Sequence, residues 1–406
     1  MNRAAEVKET RAQPPAGDGR GGGSATRIHH EVDGNRLTVL PDGPDRLDAM
    51  LDVIGRAKTS LRVLFYIWDP DASGVRVRDA LHAAQERGVA VSVIVDGFGA
   101  ANASASFFGD LKRSGAHVCR YHPRFGRRYL LRNHQKLLLA DEKIAIIGGF
   151  NVADDYFGTV EEGAWRDLGL VVEGPAAGRI ADYYDRLVAW SEAAGARMRD
   201  LRRIMLRASE DAGALRWVLG GPTRRLSPWA RQVLRDVAAA RSLDLISAYF
   251  GPTPPMLRRI ARVARRGRAR LVSAAKSDNG ATIGAARQTF GLLLRRGVEV
   301  WEYTATKLHT KLIIVDDAVY IGSANFDVRS TYLNLEISLR VEDRAFADKM
   351  RAFVEAELRQ SERITPALHK KRATLWARVR WAVSRFVVGV VDYNVTRRLN
   401  FGLDGR

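Results

Sequence analysis

Two stretches of the chain carry a histidine, a lysine and an aspartate at the same spacing. The first set is His134, Lys136 and Asp141, and the second is His309, Lys311 and Asp316. Each set is followed by a loop of the form G-x-x-N, which ends at Asn151 or at Asn325. An imidazole can attack phosphorus or donate a proton, an ammonium can bind phosphate oxygens, and an amide can donate hydrogen bonds. These residue types together indicate the chemistry of a phosphate ester.

Two equivalent histidines are the minimum that a two-step reaction at one phosphodiester requires. One must be neutral to attack phosphorus, and the other must be protonated to release the alcohol and then accept a proton. Lys136 and Lys311 would hold the non-bridging oxygens and neutralise charge as it builds. Asn151, Ser323 and Asn325 would complete this phosphate cradle, and the scheme requires no metal and no cofactor.

The elements around the two sets repeat in the same order, with the histidines 175 positions apart at 134 and 309. In the first half the predicted strands are Leu61–Trp68, Val89–Asp96 and Ala116–Tyr121, and the predicted helices are Asp45–Ala57, Val75–Arg87 and Phe107–Ser114. In the second half, strands at Leu243–Tyr249, Arg270–Ala275 and Val298–Tyr303 alternate with helices at Ser227–Ala240, Pro255–Arg266 and Ala281–Arg296. The alternation predicts an α/β fold with a mainly parallel or mixed sheet in each half.

The strand that carries each set is predicted to be buried on both faces, because its residues are almost all apolar. Since strand side chains alternate between faces, a histidine and a lysine two residues apart would point the same way. The turn after Asp316 is one residue shorter than the turn after Asp141, with five residues instead of six before the next glycine. We therefore expect a tighter turn in the second half.

Length and composition set limits on the class of protein. The chain has 406 residues, of which 46% are hydrophobic and 27% are charged, enough for two globular domains. No run approaches the roughly 18 apolar residues that a membrane-spanning helix needs, and the first residues lack a secretion signal. Cys119 stands alone, which excludes an internal disulfide. The net charge of +19 favours a polyanionic partner, either anionic lipid or nucleic acid.

The chain is expected to divide into five parts. They are a disordered leader at 1–27, a first domain at 28–175, a linker at 176–226 with one long helix (Ile180–Arg203), a second domain at 227–362 and a basic C-terminal segment at 363–406. A basic and aromatic link, Pro123–Arg132, precedes the first set and is interpreted as either a headgroup-binding rim or a solvated loop.

The C-terminal segment has an amphipathic pattern. Apolar residues recur at helical spacing at Trp376, Val379, Val383, Phe386, Val387 and Val390, and the other side carries Lys370, Lys371, Arg372, Arg378, Arg380 and Arg385. This pattern is typical of a helix that lies in a membrane interface with its tryptophans at headgroup level. The alternative is a helix packed on the domain with a solvated basic face. We favour the membrane interpretation.

The two H-x-K-x4-D motifs and their flanks resemble the phospholipase D superfamily, and most closely the bacterial cardiolipin synthases without transmembrane helices. The supporting stretches are Tyr66-Ile67-Trp68, Trp165-Arg166-Asp167, Tyr249-Phe250-Gly251-Pro252, Lys276-Ser277-Asp278, Phe326-Asp327-Val328-Arg329-Ser330 and Asn334-Leu335-Glu336. The resemblance covers roughly positions 30 to 365. One departure is Gly149, where the family more often has serine or threonine.

The resemblance implies two phospholipase D-like repeats packed with pseudo-two-fold symmetry around one active site. It makes His134 the nucleophile and His309 the general acid and base. It also implies that Glu336 and its counterpart Asp167 orient the histidines by accepting a hydrogen bond from the second ring nitrogen. Asp141 and Asp316 belong to the catalytic motif, but their place at the strand end suggests a more structural role.

The activity implied is transfer of a phosphatidyl group from phosphatidylglycerol to a second lipid, through a phosphatidyl-histidine, to give cardiolipin. With water as the acceptor the same site would be a phospholipase D. A metal-independent nuclease and a non-catalytic scaffold are the remaining alternatives. The expected partners are anionic phospholipids and a membrane surface rather than nucleic acid, and the expected location is the cytoplasmic face of the cell membrane, as a peripheral protein.

Overall fold

A computed structural model describes residues 27–121, 131–223 and 226–388. Apart from Arg27, the leader predicted at 1–27 lies outside the described residues. The same holds for most of the link predicted at 123–132 and for the chain after residue 388, including Val390. None of the helices in the described part of the chain is long and apolar enough to cross a membrane.

The first half forms a mixed sheet of eight strands within the described residues, in the order β1-β2-β8-β7-β6-β3-β4-β5. Its strands are β1 (Ile28–Val32), β2 (Asn35–Leu40), β3 (Ser60–Phe65), β4 (Ala90–Asp96), β5 (His117–Tyr121), β6 (Leu137–Ala140), β7 (Ile144–Gly148) and β8 (Gly169–Glu173). Its helices are α1 (Gly43–Arg56), α2 (Ala72–Glu86) and α3 (Gly109–Arg113), and a 3-10 turn spans Asp154–Tyr156. The Asp71 side chain caps α2 by accepting a hydrogen bond from the Gly74 N–H at 2.9 Å.

Three helices, α4 (Pro175–Gly178), α5 (Ala181–Glu192) and α6 (Met198–Ala208), lead to the second half. Its strands are β9 (Leu215–Gly220), β10 (Ser242–Ser247), β11 (Phe250–Gly251), β12 (Arg268–Ala274), β13 (Glu299–Tyr303), β14 (Lys311–Val315), β15 (Ala318–Gly322), β16 (Phe326–Asp327), β17 (Glu336–Glu342) and β18 (Ser361–Ile364). Its helices are α7 (Pro228–Ala239), α8 (Pro254–Arg266), α9 (Gly280–Arg295), α10 (Val328–Tyr332), α11 (Arg344–Arg359), α12 (Pro366–Arg372) and α13 (Leu375–Phe386). Its main sheet has the order β18-β13-β12-β10-β14-β15-β17-β9.

Six strands of each sheet correspond one to one. The run β8-β7-β6-β3-β4-β5 has the same neighbours and directions as β17-β15-β14-β10-β12-β13, with three parallel strands at one side and antiparallel pairing at the other. This order confirms the predicted α/β fold with two repeats. The motif strands β6 and β14 lie in the middle of the sheets and are fully buried, as the apolar runs predict.

The two sheets pack against each other and share one apolar core. Leu137 and Leu139 of β6 belong to the same buried cluster as Leu312 and Ile314 of β14. The shared core brings the equivalent ends of the two motif strands together, which is the condition for a single site built from both halves.

The linker prediction needs correction. The apolar spacing predicts one helix over Ile180–Arg203, but the chain leaves the helix at Ala193, which is extended (φ −61°, ψ 123°), and starts a second helix at Met198. Gly195 lies between them, and glycine is a weak helix former. The predicted linker also contains β9, which pairs with β17 at the edge of the second sheet. The second sheet therefore begins before position 227 and, with β18, continues to Ile364.

The C-terminal residues that the structure describes form α12 and α13. Trp381 is buried against α9 and stacks on His369, with the ring centroids 5.6 Å apart. The opposite face of α13 exposes large apolar side chains, which are Leu375, Trp376, Val379, Val383 and Phe386. The helix is thus anchored to the second half while its apolar face points away from it.

Candidate active site

His134 lies just before β6 and is held by residues of the second half. Its backbone N–H donates to the Leu335 carbonyl at 3.0 Å. Its ring Nδ1 lies 3.0 Å from Oε2 and 3.2 Å from Oε1 of Glu336. Because Nδ1 is bound to a carboxylate, Nε2 is the nitrogen directed to a substrate.

His309 is held in the equivalent way by residues of the first half. Its backbone N–H donates to the Arg166 carbonyl at 2.7 Å, and its Nδ1 lies 2.6 Å from Oδ2 of Asp167. Each histidine is therefore oriented by a carboxylate from the other half of the chain. Two isolated parallel β-bridges join the halves next to the histidines, one between Asn133 and Leu335 and one between Arg166 and Leu308. The reciprocal contacts are those of a pseudo-two-fold interface.

The two lysines are buried beside the histidines. Lys136 Nζ donates to the carbonyl of His134 at 2.6 Å, and Lys311 Nζ lies 2.9 Å from Nδ1 of His309 and contacts the carbonyl of that residue. The strands begin only at Leu137 and Lys311, so both histidines lie in the extended segments that enter the strands. The two-residue spacing still places each lysine against its own histidine.

Burial dominates the titration of these four groups. It lowers the pKa of His134 and of His309 to about 4, although Glu336 and Asp167 oppose the shift. Burial also lowers the pKa of Lys136 to about 7 and that of Lys311 to about 8. The charge of Lys311 contributes to the shift at His134, and the charge of Lys136 contributes at His309. The groups from both halves thus share one electrostatic environment.

The two carboxylates stay ionised in this site. Burial by itself would raise the pKa of Asp167, but the charge of Lys311 and the interaction with His309 outweigh it and keep the pKa low. Burial of Glu336 is outweighed in the same way by His134 and Lys136, and its pKa is also lowered. Ionised carboxylates can accept the hydrogen bond from Nδ1 and stabilise an imidazolium when it forms.

Glu336 is held by two serine hydroxyls. Ser323 Oγ donates to its Oε2 at 2.5 Å, and Ser330 Oγ donates to its Oε1 at 2.7 Å. Ser323 was predicted to bind phosphate, but its hydroxyl is directed to this carboxylate and also accepts from the Ile337 N–H at 3.0 Å. The sequence pattern gave no role to Ser330, although this residue lies in one of the stretches that carry the family resemblance.

Gly149 occupies the place in the first loop where the second loop has Ser323. A Cβ at Gly149 would collide with the carboxylate of Asp167. Asp167 is instead held by its own neighbour, since Leu168 N–H donates to Oδ1 at 2.7 Å. The glycine at this position, where the family more often has serine or threonine, therefore leaves the space that Asp167 needs to reach His309.

The two loop asparagines differ in how they are held. Asn151 Oδ1 accepts from the Ile67 N–H at 3.1 Å, and its Nδ2 donates to the Tyr156 hydroxyl at 2.9 Å. Asn325 is buried, and its Oδ1 has no hydrogen-bond partner among the described residues. Asn325 is the better placed of the two to reorient toward a ligand.

Aromatic rings pack against both histidines, and no role was predicted for them from the sequence. The Tyr66 ring lies 5.1 Å from the His134 ring. The rings of Tyr156, Trp165 and Tyr249 lie 5.2, 5.1 and 6.0 Å from the His309 ring. Tyr66 and Tyr249 each follow the end of an equivalent strand, β3 or β10, and this repeated position is the signal that could have identified them.

Asp141 and Asp316 lie at the far ends of β6 and β14, away from the histidines. Burial would raise the pKa of Asp141, but backbone N–H groups of Ser60, Thr59 and Lys58 lower it to about 2. Asp316 accepts in the same way from Ser242 N–H at 2.8 Å. The motif groups these aspartates with the catalytic residues, and the structure separates them as turn-forming residues.

The turns themselves differ as the loop lengths predict. Asp141 and Glu142 both adopt positive φ (52° and 55°) in a three-residue connection, whereas the second turn is the pair 316–317, with Asp316 at φ 48°. Aspartate tolerates this left-handed region better than most residues. Among the described residues, no group of three His, Cys, Asp or Glu side chains is placed to hold a metal ion.

Comparison with known proteins identifies similar sequences over most of the chain. Residues 50–187 and 237–358 match the family model described as cardiolipin synthase, PLD-like domain. The chain is 28% identical over 364 residues to a cardiolipin synthase of Listeria monocytogenes, covering 87% of this chain and 75% of that protein. It is 30% identical over 366 residues to cardiolipin synthase A of Edwardsiella ictaluri, covering 86% of this chain and 74% of that protein.

Solved structures are similar in fold. The crystal structure of phosphatidylserine synthase from Haemophilus influenzae superposes with a TM-score of 0.70 at 13% identity, covering 91% of this chain and 96% of that one. A polyphosphate kinase from Porphyromonas gingivalis gives a TM-score of 0.55 at 18% identity, covering 82% of this chain and 49% of that one. At these identities the similarity concerns the fold alone.

Binding of an oxoanion should depend on the protonation of the two lysines. Tungstate, whose own charge is constant through neutral and alkaline pH, should bind best below the pKa values of about 7 for Lys136 and about 8 for Lys311. A bound anion favours the protonated lysine, so affinity is lost as pH rises through the pKa of the free protein, roughly tenfold per pH unit for each lysine. Titration calorimetry at several pH values measures this. In Lys136→Met the step that begins near pH 7 should be absent, and an affinity that is constant with pH would contradict the assignment.

Replacing Gly149 by alanine should impair the His309 side of the site. The new Cβ displaces Asp167, and a misplacement of about 1 Å can cost roughly 10²-fold in rate. We expect a fall in kcat of that order with unchanged overall folding, measured by product formation from phospholipid vesicles and by circular dichroism. Gly55→Ala is the matched control, because a Cβ there meets nothing within 4 Å. Equal activity of the two variants would show that Asp167 need not occupy this position.

Proposed function

This chain belongs to the cardiolipin synthase family with phospholipase D-like domains, and we propose that it joins two phosphatidylglycerol molecules into cardiolipin with release of glycerol. The observation that carries the proposal is the pair of histidines, each oriented by a carboxylate of the opposite half and flanked by the lysines of both. This arrangement suits a phosphodiester held between two imidazoles.

The first step forms a covalent intermediate on His134. Burial keeps this imidazole neutral at physiological pH, so Nε2 has a free lone pair to attack phosphorus of the donor lipid. The bond between phosphorus and the headgroup glycerol oxygen breaks as the P–N bond forms. His309 donates a proton to the departing oxygen, and glycerol leaves.

The second step reverses these roles with a new alcohol. The glycerol hydroxyl of a second phosphatidylglycerol gives its proton to His309, and its oxygen attacks phosphorus. The P–N bond to His134 breaks, the imidazole regains its lone pair, and cardiolipin is released. His309 regains in this step the proton that it donated in the first step, and it holds that proton while a phosphodiester is bound beside it.

The surrounding charges suit these proton transfers. A bound phosphodiester adds negative charge between the rings, which raises the pKa of His309 and favours the imidazolium that must donate the proton. Asp167, ionised and 2.6 Å from Nδ1, stabilises the same imidazolium. Lys136 and Lys311 bind the non-bridging oxygens and balance the charge that develops on them.

We propose that the protein docks peripherally on an anionic membrane through the apolar face of α13. Trp376 is 82% exposed at the start of this face. Just beyond the other end of α13, Val388 packs beside Gly251, two residues after Tyr249, whose ring contacts His309. The end of α13 therefore lies close to a segment of the active site, and a bilayer against the apolar face would lie beside that site. The positive net charge suits the anionic cytoplasmic leaflet, where we place the protein.

Vesicles of phosphatidylglycerol with product identification test the activity. Cardiolipin with an equal amount of glycerol is expected, and phosphatidic acid as the only lipid product would instead identify a phospholipase D. His134→Ala should abolish turnover, and His309→Ala should lower it by roughly 10²- to 10⁴-fold. Acid-quenched protein should carry the phosphatidyl group on the peptide that contains His134, and an adduct on His309 would reverse the two roles.

Flotation with phosphatidylglycerol vesicles tests the docking surface. Trp376→Glu should reduce the partition coefficient roughly tenfold or more, because it removes the largest apolar side chain from the face and adds a negative charge. Leu206→Glu on α6, also exposed (48%), is the control for a surface apolar residue away from α13. Undiminished binding of the Trp376 variant would mean that another surface contacts the membrane.

A further inference from the structure

The mouth of the active site differs between its two sides. On the His134 side, the Arg132 guanidinium lies 4.2 Å from the centroid of the exposed Phe98 ring and hydrogen-bonds the Tyr66 side chain. Tyr66 in turn packs on His134, and Lys136 Nζ lies 5.3 Å from the same ring. Arg132 is therefore one side chain away from the proposed nucleophile.

Arg329 adds a second guanidinium to this side from the other half. It lies on α10 and is half-buried. Its carbonyl accepts from Asn334 N–H at 3.0 Å, and the next residue, Leu335, donates to the Arg132 carbonyl at 2.9 Å. These contacts tie the Arg329 segment to the Arg132 segment across the interface. Burial and the charge of Asp96 raise the pKa of the Tyr66 hydroxyl, and the charges of both arginines act against them.

The His309 side carries a carboxylate beside its tyrosine. The Tyr249 hydroxyl donates to Asp278 Oδ1 at 2.7 Å. Asp278 and Asp327 both raise the pKa of Tyr249, after the larger effect of burial. Asp96 also lies on the Arg132 side, but its carboxylate accepts from the N–H groups of Phe98, Gly99 and Asn133. An anion at the mouth is therefore bound more favourably beside the two arginines than beside Asp278.

The second reaction step brings such an anion to the mouth. The acceptor phosphatidylglycerol carries its own phosphodiester, only a glycerol unit away from the hydroxyl that attacks phosphorus on His134. On the basis of the proposed function, we infer that Arg132 and Arg329 form a second-phosphate subsite that holds the phosphodiester of the acceptor lipid. Guanidinium groups suit this role because their planar donors match phosphate oxygens.

The subsite would decide between lipid and water as acceptor. Water and simple alcohols carry no phosphate, so they gain nothing from the two arginines. A phosphatidylglycerol molecule is held with its hydroxyl directed to the intermediate and its phosphate at the positive side. The pair thus favours transfer to an anionic lipid over hydrolysis.

Competition between two acceptors tests this inference, because both products arise from the same phosphatidyl-enzyme. Phosphatidylglycerol vesicles with added ethanol yield cardiolipin and phosphatidylethanol, and their ratio does not depend on how fast the intermediate forms. In Arg329→Gln the ratio should fall roughly tenfold, the loss expected for one charge-assisted hydrogen bond. Arg329→Lys, which keeps the positive charge, should restore part of the lost ratio of cardiolipin to phosphatidylethanol.

Arg344→Gln is the matched control. Arg344 is exposed at the start of α11, where Asp343 N–H donates to the Asp317 carbonyl, at the end of β14 opposite to His309. The Arg344→Gln variant should give the same ratio of cardiolipin to phosphatidylethanol as the unmodified protein. A ratio in Arg329→Gln equal to the control, with only total turnover lowered, would overturn the subsite and leave Arg329 a structural role.

Soluble acceptors give a second test that needs no variant. The unmodified protein should prefer glycerol 3-phosphate to glycerol by roughly tenfold or more, since only the former carries a second phosphate. Equal use of the two would overturn the subsite even if the variants failed to fold. Failure of the proposed function looks different, since the unmodified protein would then form phosphatidylethanol or phosphatidic acid but no cardiolipin.

Discussion

The hydrogen bond between each motif histidine and a carboxylate of the other half is the interaction on which the site depends. His134 is oriented by Glu336 and His309 by Asp167. Neither half contains a complete pair, so neither can orient a histidine alone. The shared core between the sheets has a catalytic consequence for this reason, because any shift of one half against the other would move both imidazoles off their carboxylates.

The same interface sets the charge state of the site. Four basic side chains and two carboxylates lie together in a buried place where water cannot screen them. Burial lowers the pKa of both histidines, which makes them neutral, and it also lowers the pKa of both lysines. The two ionised carboxylates offset part of this lowering. A phosphodiester supplies the negative charge that this group of cations lacks. The charges of the site thus favour binding of an anion, and a bound anion would raise the pKa of the histidines for acid and base chemistry.

The two halves repeat the fold but not every contact. Glu336 is long and is held by the hydroxyls of Ser323 and Ser330, whereas Asp167 is shorter and needs the space above Gly149. Two arginines lie near Tyr66 on the His134 side, whereas the Tyr249 hydroxyl on the His309 side is bound to the carboxylate of Asp278. Two steps that require a nucleophile on one side and a proton donor on the other suit a site that is symmetric in its ligands and asymmetric in its surroundings.

The sequence by itself determined the residue types, the repeat and the strand and helix order, because these depend on local spacing and periodicity. It also placed Asp141 and Asp316 at strand ends, and the tight second turn followed from loop length. It missed the hairpin of β1 and β2, although Asp33-Gly34 is a usual turn signal, and it extended one helix through Gly195 because the apolar spacing continues there.

Only the tertiary structure decided which carboxylate serves which histidine, that Ser323 holds Glu336, and why Gly149 is a glycine. These contacts join residues more than 140 positions apart or depend on the space between neighbouring loops. A local pattern cannot encode them, since they arise from how two separately patterned sheets pack. The sequence supplied the reacting groups, and the packing of the two halves paired them.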